Sequence, residues 1–154
     1  MQILDLKQAP GYLALLAQWH QDEWAYLNPG ESLAQRLDCM QAYFSDTLIP
    51  STFIAQSEAG LLGSAALIEN DMDSRPELSP WLASVFVAPA YRNAGVGGAL
   101  VRHVMQTAAR SGIQTLYLFT PDRAAFYEKL GWQCLGEEVY RGHRVSLMQV
   151  ELGG

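Results

Sequence analysis

Residues 81–110 constrain the fold of this chain more than any other stretch of its sequence. An apolar run over residues 81–88 predicts a buried strand, and apolar residues at helical spacing predict a helix from about residue 96 to residue 110. Between them lies a turn rich in glycine, residues 92–98. Glycines leave backbone N–H groups unobstructed, and a helix start adds about half a positive charge. The turn therefore predicts either a tight strand–helix connection or a phosphate-binding loop.

The charge pattern around the turn favours phosphate binding. No Asp or Glu occurs between Leu78 and Pro121, although the chain has 16 acidic residues and a net charge of -6. The same stretch contains Arg92, Arg102 and Arg110. Carboxylates beside a partly dry phosphate site would repel the phosphates, so a stretch without them is what such a site requires.

Two short motifs resemble those of the GNAT family of N-acetyltransferases. Residues 92–97, Arg-Asn-Ala-Gly-Val-Gly, have the R/Q-x-x-G-x-G/A form of that family and follow an apolar strand, as they do there. Residues 126–132, Phe-Tyr-Glu-Lys-Leu-Gly-Trp, resemble its second signature, an aromatic-Tyr-x-x-x-Gly-aromatic run. The order and spacing of the motifs also fit, and the resemblance extends from about residue 53 to residue 152.

The rest of the chain reads as strands and helices in the same order as in that family. Helices are expected from Pro10 to about Glu23 and from Ser32 to Phe44, and both Pro and Ser are typical of a helix start. Strands are expected over residues 2–6, 52–56, 61–69, 114–119, 132–135 and 143–152, with a short helix over residues 123–130. The resemblance implies a GNAT-like three-layer α/β sandwich, with a mixed central sheet of about seven strands, about four helices and splayed central strands.

The resemblance also implies an acetyl-CoA cosubstrate and its position. In the family, the pantetheine arm lies between the splayed strands and the pyrophosphate lies on the glycine turn. Carried over by position, the backbone of Val85, Phe86 and Val87 would pair with the arm as a neighbouring strand would. Main-chain amides of the turn would hold the pyrophosphate, at Arg92, Asn93, Ala94, Gly95, Val96, Gly97 and Gly98.

Tyr127 is the expected catalytic residue, since in the family the matching tyrosine is the general acid that protonates the departing thiolate. The alternative is a packing role beside Phe126 and Trp132. The general base stays open, because residues 81–88 lack the carboxylate that many relatives have on this strand. One candidate is a water that bridges to Ser84 or to a backbone carbonyl. The others are five carboxylates: Glu23, Glu69, Asp71, Asp73 and Glu77.

The acceptor is expected to be a primary amine, as a small amine, an amino acid or a peptide α-amino group. Residues 1–77 contain eleven acidic residues and three basic ones, Lys7, Arg36 and Arg75. In the family the first two helices wall the acceptor pocket, so an acidic wall would attract a cationic amine. Aromatic residues could add cation–π contacts to an ammonium group: Trp19, Trp24, Tyr26 and Trp81.

Composition excludes several other classes of protein. The acidic balance argues against nucleic-acid binding, and no apolar run approaches the roughly 20 residues that span a bilayer. Cys39 and Cys134 lie far apart and the histidines occur singly, so no metal site is expected and a cytoplasmic setting is favoured. At 154 residues the chain is expected to be one domain, residues 1–154. Similar enzymes are commonly homodimers, which the sequence leaves open.

The sequence thus predicts an acetyl-CoA-dependent N-acetyltransferase in which a neutral amine attacks the thioester directly in a ternary complex. One alternative is an acyl-CoA-binding regulatory or interaction module that has kept the phosphate loop and lost the chemistry. A second is a nucleotide-dependent enzyme of another class. The turn lacks the G-x-x-x-x-G-K-[ST] pattern and the paired acidic residue of a dinucleotide fold, which argues against this second alternative.

Overall fold

The computed structural model describes residues 1–153, which form one seven-stranded sheet with helices on both faces. In chain order its elements are β1 (Gln2–Asp5), α1 (Leu13–Trp24), α2 (Leu33–Met40), β2 (Ser51–Ser57), β3 (Gly60–Ile68), β4 (Trp81–Val87), α3 (Val96–Arg110), β5 (Thr115–Thr120), α4 (Ala124–Glu128), β6 (Gln133–Tyr140) and β7 (His143–Glu151). Within residues 1–153, no helix combines the length and the apolar character needed to cross a bilayer.

The sheet is open and mixed, and its two central strands separate. The strand order is β1-β2-β3-β4-β5-β7-β6, and every neighbouring pair is antiparallel except β4 and β5. Within residues 1–153, β4 and β5 form a single register pair, between Trp81 and Tyr117. The Tyr117 amide donates to the Pro80 carbonyl at 3.1 Å, and beyond this point the two strands splay apart. The expected three-layer sandwich with splayed central strands is confirmed.

Neighbouring residues of β2 show how the three layers form. Phe53 and Ala55 are buried in the cluster that α3 covers, which includes Leu100 and Val104. Ile54, between them, is buried in the cluster formed with α1 and α2. Because successive side chains of a strand point to opposite faces, an apolar run without alternation indicates a strand that is covered on both sides.

Most element boundaries lie within two residues of those expected from the sequence, and three differ by more. The sequence predicts a second helix up to Phe44, but α2 ends at Met40 and a 3₁₀ turn, Gln41–Phe44, follows it. The first helix begins with a 3₁₀ turn, Pro10–Tyr12, before α1 starts at Leu13. The last hairpin has a longer strand than expected, since β6 continues to Tyr140. Its residues are mostly exposed on both faces, so they carry no apolar alternation that could have revealed the strand.

Ser32 is the N-cap of α2, as its position predicted. Its side chain accepts a hydrogen bond from the Gln35 amide at 3.1 Å, and the Gln35 side chain accepts one from the Ser32 amide at 2.7 Å. This reciprocal capping box specifies where α2 begins. The helix start in turn sets which side chains of α2 face the sheet.

A β-bulge in β4 lies beside the point where the central strands part. Ser64 of β3 pairs with Phe86 and Ala66 pairs with Ala83, so two residues of β4, Ser84 and Val85, lie opposite one residue of β3. Ser84 has a φ of 52°, a left-handed conformation that costs energy for a non-glycine residue. The bulge turns the following residues of β4 toward Gly63, where a Cβ atom would overlap the Phe86 carbonyl oxygen.

Replacing Gly63 by Ala should therefore destabilise the fold. The added methyl group has to displace the backbone of β4, and overpacking of this kind costs about 1–3 kcal/mol. Urea unfolding followed by circular dichroism measures the change. Gly11→Ala is the matched control, because a Cβ at Gly11 meets no atom within 4 Å, and its effect should stay within about 0.5 kcal/mol. Equal stability losses in the two variants would contradict the close approach of β3 and β4.

Candidate active site

A cleft of about 620 Å³ opens where β4 and β5 part. One side is formed by β4 and the start of α3, and the other by the end of β5 and by α4. The end of α1 and the β6–β7 turn close it at one end. The cleft is thus a direct consequence of the interrupted pairing at the centre of the sheet.

The glycine turn opens the start of α3 to this cleft. Gly95 is the N-cap of α3, with a φ of 84° that a residue with a side chain rarely adopts. Because glycine has no side chain, no side-chain capping hydrogen bond occupies the helix start. The first bond within the helix runs from the Ala99 amide to the Gly95 carbonyl at 3.1 Å, so the amides before Ala99 have no partner within the helix. Unpaired amides at a helix start form an anion-binding site.

The residues expected to hold a cofactor lie together, with one exception. Nine of the ten cofactor positions predicted from the sequence line the cleft, and so does the predicted catalytic residue, Tyr127. The nine are Val85, Phe86, Val87, Arg92, Asn93, Gly95, Val96, Gly97 and Gly98. Ala94 is exposed at the tip of the turn, outside the lining of the cleft. A Cβ at Gly97 would lie 3.4 Å from both Phe126 and Val87, so the start of α3 packs directly against α4 and β4.

Tyr127 is a buried side chain that lines the cleft. It lies in α4, with ring centroids 5.0 Å from Phe126 and 6.1 Å from Trp132, and it is 7% exposed. Burial raises the pKa of the Tyr127 hydroxyl above its usual value. The hydroxyl is therefore protonated at neutral pH, as a proton donor has to be.

Of the five carboxylates considered as a base, Glu23 and Asp71 line the cleft, whereas Glu69, Asp73 and Glu77 do not. Asp71 is half-buried, and burial raises the pKa of its carboxyl to about 7, against the opposing effect of Arg36 and Arg141. Glu23 is exposed and lies 4.0 Å from the Arg92 guanidinium. Asp71 thus has the proton affinity that a base needs near neutral pH.

A network of hydrogen bonds next to the bulge at Ser84 was not predicted from the sequence. His20 is 1% exposed; its Nδ1 lies 2.9 Å from Arg36 Nη2, and its Nε2 lies 2.9 Å from Ser64 Oγ. The Ser64 hydroxyl donates to the Ser84 carbonyl at 2.9 Å, and Arg36 Nη2 is 3.5 Å from Ser84 Oγ. Burial, and then the Arg36 charge, hold the pKa of His20 well below its usual value. These hydrogen bonds connect α1, α2 and β3 to the bulge of β4.

Arg141 closes the end of the cleft. Its Nη1 donates to Asn28 Oδ1 at 2.6 Å and to the Leu27 carbonyl at 3.1 Å, and its Nη2 donates to Asp73 at 3.2 Å. The guanidinium also lies 5.0 Å from the centre of the Tyr140 ring. These contacts join the β6–β7 turn to the connection between α1 and α2.

The cleft wall is not uniformly acidic, contrary to what the charge count of residues 1–77 suggested. Of the eleven acids in that segment, Glu23 and Asp71 line the cleft. Four arginines line it too: Arg36, Arg92, Arg123 and Arg141. Among the aromatic residues considered, Trp24 and Tyr26 line the cleft, whereas Trp81 is fully buried in the core. Residues 1–153 contain no group of three His, Cys, Asp or Glu side chains placed to hold a metal ion.

Comparison with known proteins identifies a family with this architecture. A family model described as an acetyltransferase (GNAT) domain matches residues 50–134, which is more than half of the chain. The match includes both motifs, the glycine turn and the aromatic-Tyr segment around Tyr127. No curated protein sequence matches the chain significantly.

Solved structures share the whole fold at low sequence identity. An aminoglycoside 6'-N-acetyltransferase complexed with coenzyme A has a TM-score of 0.75 and 19% identity, with 100% of this chain and 98% of that chain covered. The yncA protein of Salmonella typhimurium, with its cofactor acetyl-CoA, has a TM-score of 0.73 and 17% identity, covering 100% and 95%. Spermidine N-acetyltransferase of Vibrio cholerae, in complex with CoA and spermine, has a TM-score of 0.74 and 18% identity, covering 98% and 95%.

Proposed function

The chain belongs to the GNAT acetyltransferase family, and from this premise we propose that it transfers the acetyl group of acetyl-CoA to a primary amine. The observation that carries the proposal is a single cleft that contains both the open amides at the start of α3 and the Tyr127 side chain. Structures of the same fold that contain coenzyme A or acetyl-CoA support this cosubstrate. Residues 1–154 would act as one catalytic domain.

The cosubstrate would bind along the free edge of β4. Residues 85–87 line the cleft where β5 has moved away, so an extended arm with amide groups could pair with them as an added strand. The diphosphate would accept hydrogen bonds from the amides at the start of α3, around Gly95, Val96 and Gly97. Arg92 is held in place for this by a hydrogen bond from its Nε to the Val87 carbonyl at 2.8 Å.

The reaction would be a direct transfer. The amine nitrogen attacks the thioester carbonyl carbon, the new C–N bond forms as the C–S bond breaks, and the thiolate sulfur takes a proton from the Tyr127 hydroxyl. A proton of the attacking nitrogen passes to the Asp71 carboxylate. Solvent then returns a proton to Tyr127 and removes the one on Asp71, so the products are an N-acetylated amine and coenzyme A.

Asp71 is the base favoured by its surroundings. The groups around it are the Arg36 guanidinium from α2, the Arg141 guanidinium from the β6–β7 turn, and the Tyr140 hydroxyl, which donates to the Asp71 carbonyl at 3.4 Å. With a carboxyl pKa of about 7, Asp71 is half ionised near neutral pH, where a base both accepts and releases protons readily. Glu23 is the second candidate, since it lines the same cleft.

Ligand-dependent stability and thiol release test the proposed function together. Acetyl-CoA at 100 times its dissociation constant should add about 2.7 kcal/mol to the free energy of unfolding, whereas ATP and NAD should add little. Release of coenzyme A, followed with a thiol reagent, should then depend on an added amine. Stabilisation by acetyl-CoA without thiol release across a broad panel of amines would favour the acyl-CoA-binding module instead. Stabilisation by ATP or NAD alone would contradict the cosubstrate.

Tyr127→Phe should lower kcat at least tenfold, because the departing thiolate loses its proton donor. The dissociation constant of acetyl-CoA, measured by calorimetry, should stay near that of the wild type, since the phenyl ring keeps the packing against Phe126 and Trp132. Tyr117→Phe is the matched control, because Tyr117 lies on β5 against Trp81 and does not line the cleft. An unchanged kcat in Tyr127→Phe would leave Tyr127 with a packing role.

The rate should depend on the ionisation of Asp71. A base acts in its deprotonated form, so kcat/KM should rise with pH through a midpoint near 7 and then level off. Asp71→Asn should lower kcat/KM by about 100-fold or more and remove this step. Glu69→Gln, an exposed carboxylate outside the cleft, should leave both unchanged. A step that persists in Asp71→Asn would assign the base to Glu23 or to a water near Ser84.

A further inference from the structure

Arg36 differs from the other arginines that line the cleft. The other three arginines of the cleft, Arg92, Arg123 and Arg141, each lie within 4.0 Å of a carboxylate oxygen. Within residues 1–153, Arg36 forms no such ion pair, and its hydrogen bonds, to His20 and Ser84, both leave from Nη2. Its Nε is buried without a hydrogen-bond partner. A half-buried cation without an ion-pair partner is costly, and a bound anion would reduce that cost.

The groups that hold Arg36 leave its charge intact. An arginine can only donate, so His20 Nδ1 accepts from Arg36, and the ring proton is on Nε2. That proton is donated to Ser64 Oγ, and the Ser64 hydroxyl donates to the Ser84 carbonyl. The direction of each of these hydrogen bonds is therefore assigned. A carboxylate in the place of His20 would also hold Arg36 but would cancel its charge, whereas a neutral imidazole orients the guanidinium and leaves it free to bind an anion.

Arg36 lies at the acceptor side of the cleft rather than at the diphosphate side. It contacts Ser84, the bulged residue of β4 directly before the segment proposed to pair with the pantetheine arm. It comes from α2, whereas the diphosphate would bind on the other side of residues 85–87, at the start of α3. The anion that Arg36 would bind is therefore not a phosphate of coenzyme A but a part of the second substrate.

Asp71 provides a negative charge near Arg36 in the cleft. Asp71 is close enough to Arg36 for that guanidinium to lower the pKa of its carboxyl, yet the two groups do not form an ion pair within 4.0 Å in residues 1–153. A cation and an anion that line one pocket without touching suit a small zwitterion, whose amino group would approach Asp71 while its carboxylate meets the guanidinium.

We propose that Arg36 binds the carboxylate of the acceptor, which makes the acceptor a free α-amino acid. This rests on the proposed N-acetyltransferase activity and specifies its substrate class. With Nη2 engaged by His20 and Ser84 and Nε buried, Nη1 keeps its two N–H groups for charge-assisted hydrogen bonds to a carboxylate. Acceptors that carry only amino groups, such as polyamines, would meet the Arg36 charge without a partner for it.

Matched acceptors test the proposal in the wild-type enzyme. The common amino acids are screened by thiol release with acetyl-CoA, and the best one is compared with its primary amide and its decarboxylated amine; for phenylalanine these are phenylalaninamide and phenethylamine. The amino acid should have a kcat/KM roughly 10- to 100-fold above those of its two analogues, because they lack the charge-assisted hydrogen bonds to Arg36. Equal or better turnover of the decarboxylated amine would overturn the proposal.

Variants of Arg36 provide the second measurement. In Arg36→Gln the preference for the amino acid over its decarboxylated amine should fall by roughly 10- to 100-fold, mainly through a higher KM for the amino acid. Arg36→Lys should retain part of the preference, because it keeps the charge but not the planar fork. Arg144→Gln removes an exposed arginine outside the cleft and should leave the preference unchanged. An unchanged preference in Arg36→Gln would contradict the assignment.

A binding measurement separates this proposal from the proposed activity. Calorimetry with the protein saturated with coenzyme A, which cannot react, reports acceptor binding whether or not turnover occurs. Binding of the amino acid that weakens in Arg36→Gln supports the carboxylate site even if no thiol is released. Thiol release with amines but no binding or turnover of any amino acid would keep the acetyltransferase activity and reject the carboxylate site.

Discussion

The interrupted pairing between β4 and β5 is the constraint on which the rest of the structure depends. Two parallel strands at the centre of a sheet normally satisfy each other's backbone groups, and leaving them unpaired in a dry interior is costly. Here the strands pair at Trp81 and Tyr117 and then separate. The separated edges line a cleft rather than the core, so water or an extended ligand can satisfy them. The centre of this sheet can therefore remain open because the unpaired edges of β4 and β5 line a groove that water or a ligand can enter.

The bulge at Ser84 is the local device that supports this separation. Its left-handed φ is strained for serine, and the surrounding hydrogen bonds hold it in place: the Ser84 carbonyl accepts from Ser64, and Arg36 reaches the Ser84 hydroxyl. The same bonds orient Arg36 through His20. The geometry of the sheet and the charge at the acceptor side of the cleft are thus maintained by one set of contacts.

Much of the fold and of the cofactor side could be predicted from the sequence because their determinants are local. Gly95, the apolar spacing of α3 and the segment around Tyr127 each occur within a few residues, and the capping box at Ser32 is a four-residue pattern. The acceptor side could not be predicted in this way. His20, Arg36 and Ser64 are brought together from three elements, and nothing near His20 in the chain indicates that its ring is buried. Arg36 could have been noticed as one of three basic residues among the first 77.

Counting charges along the chain misjudged the cleft wall because most of the counted acids do not line it. Nine of the eleven acids in residues 1–77 lie outside the lining, and water and salt screen exposed carboxylates over about 10 Å. Of the charged side chains that line the cleft, Arg36 and Asp71 are half-buried, in surroundings where a charge is screened less. In the proposed complex the two ends of the cleft would use different donors. At the proposed diphosphate end, backbone amides need no side-chain charge, whereas at the proposed acceptor end a guanidinium has to be positioned by other side chains. This is why the first end has a sequence motif and the second has a network assembled only by the fold.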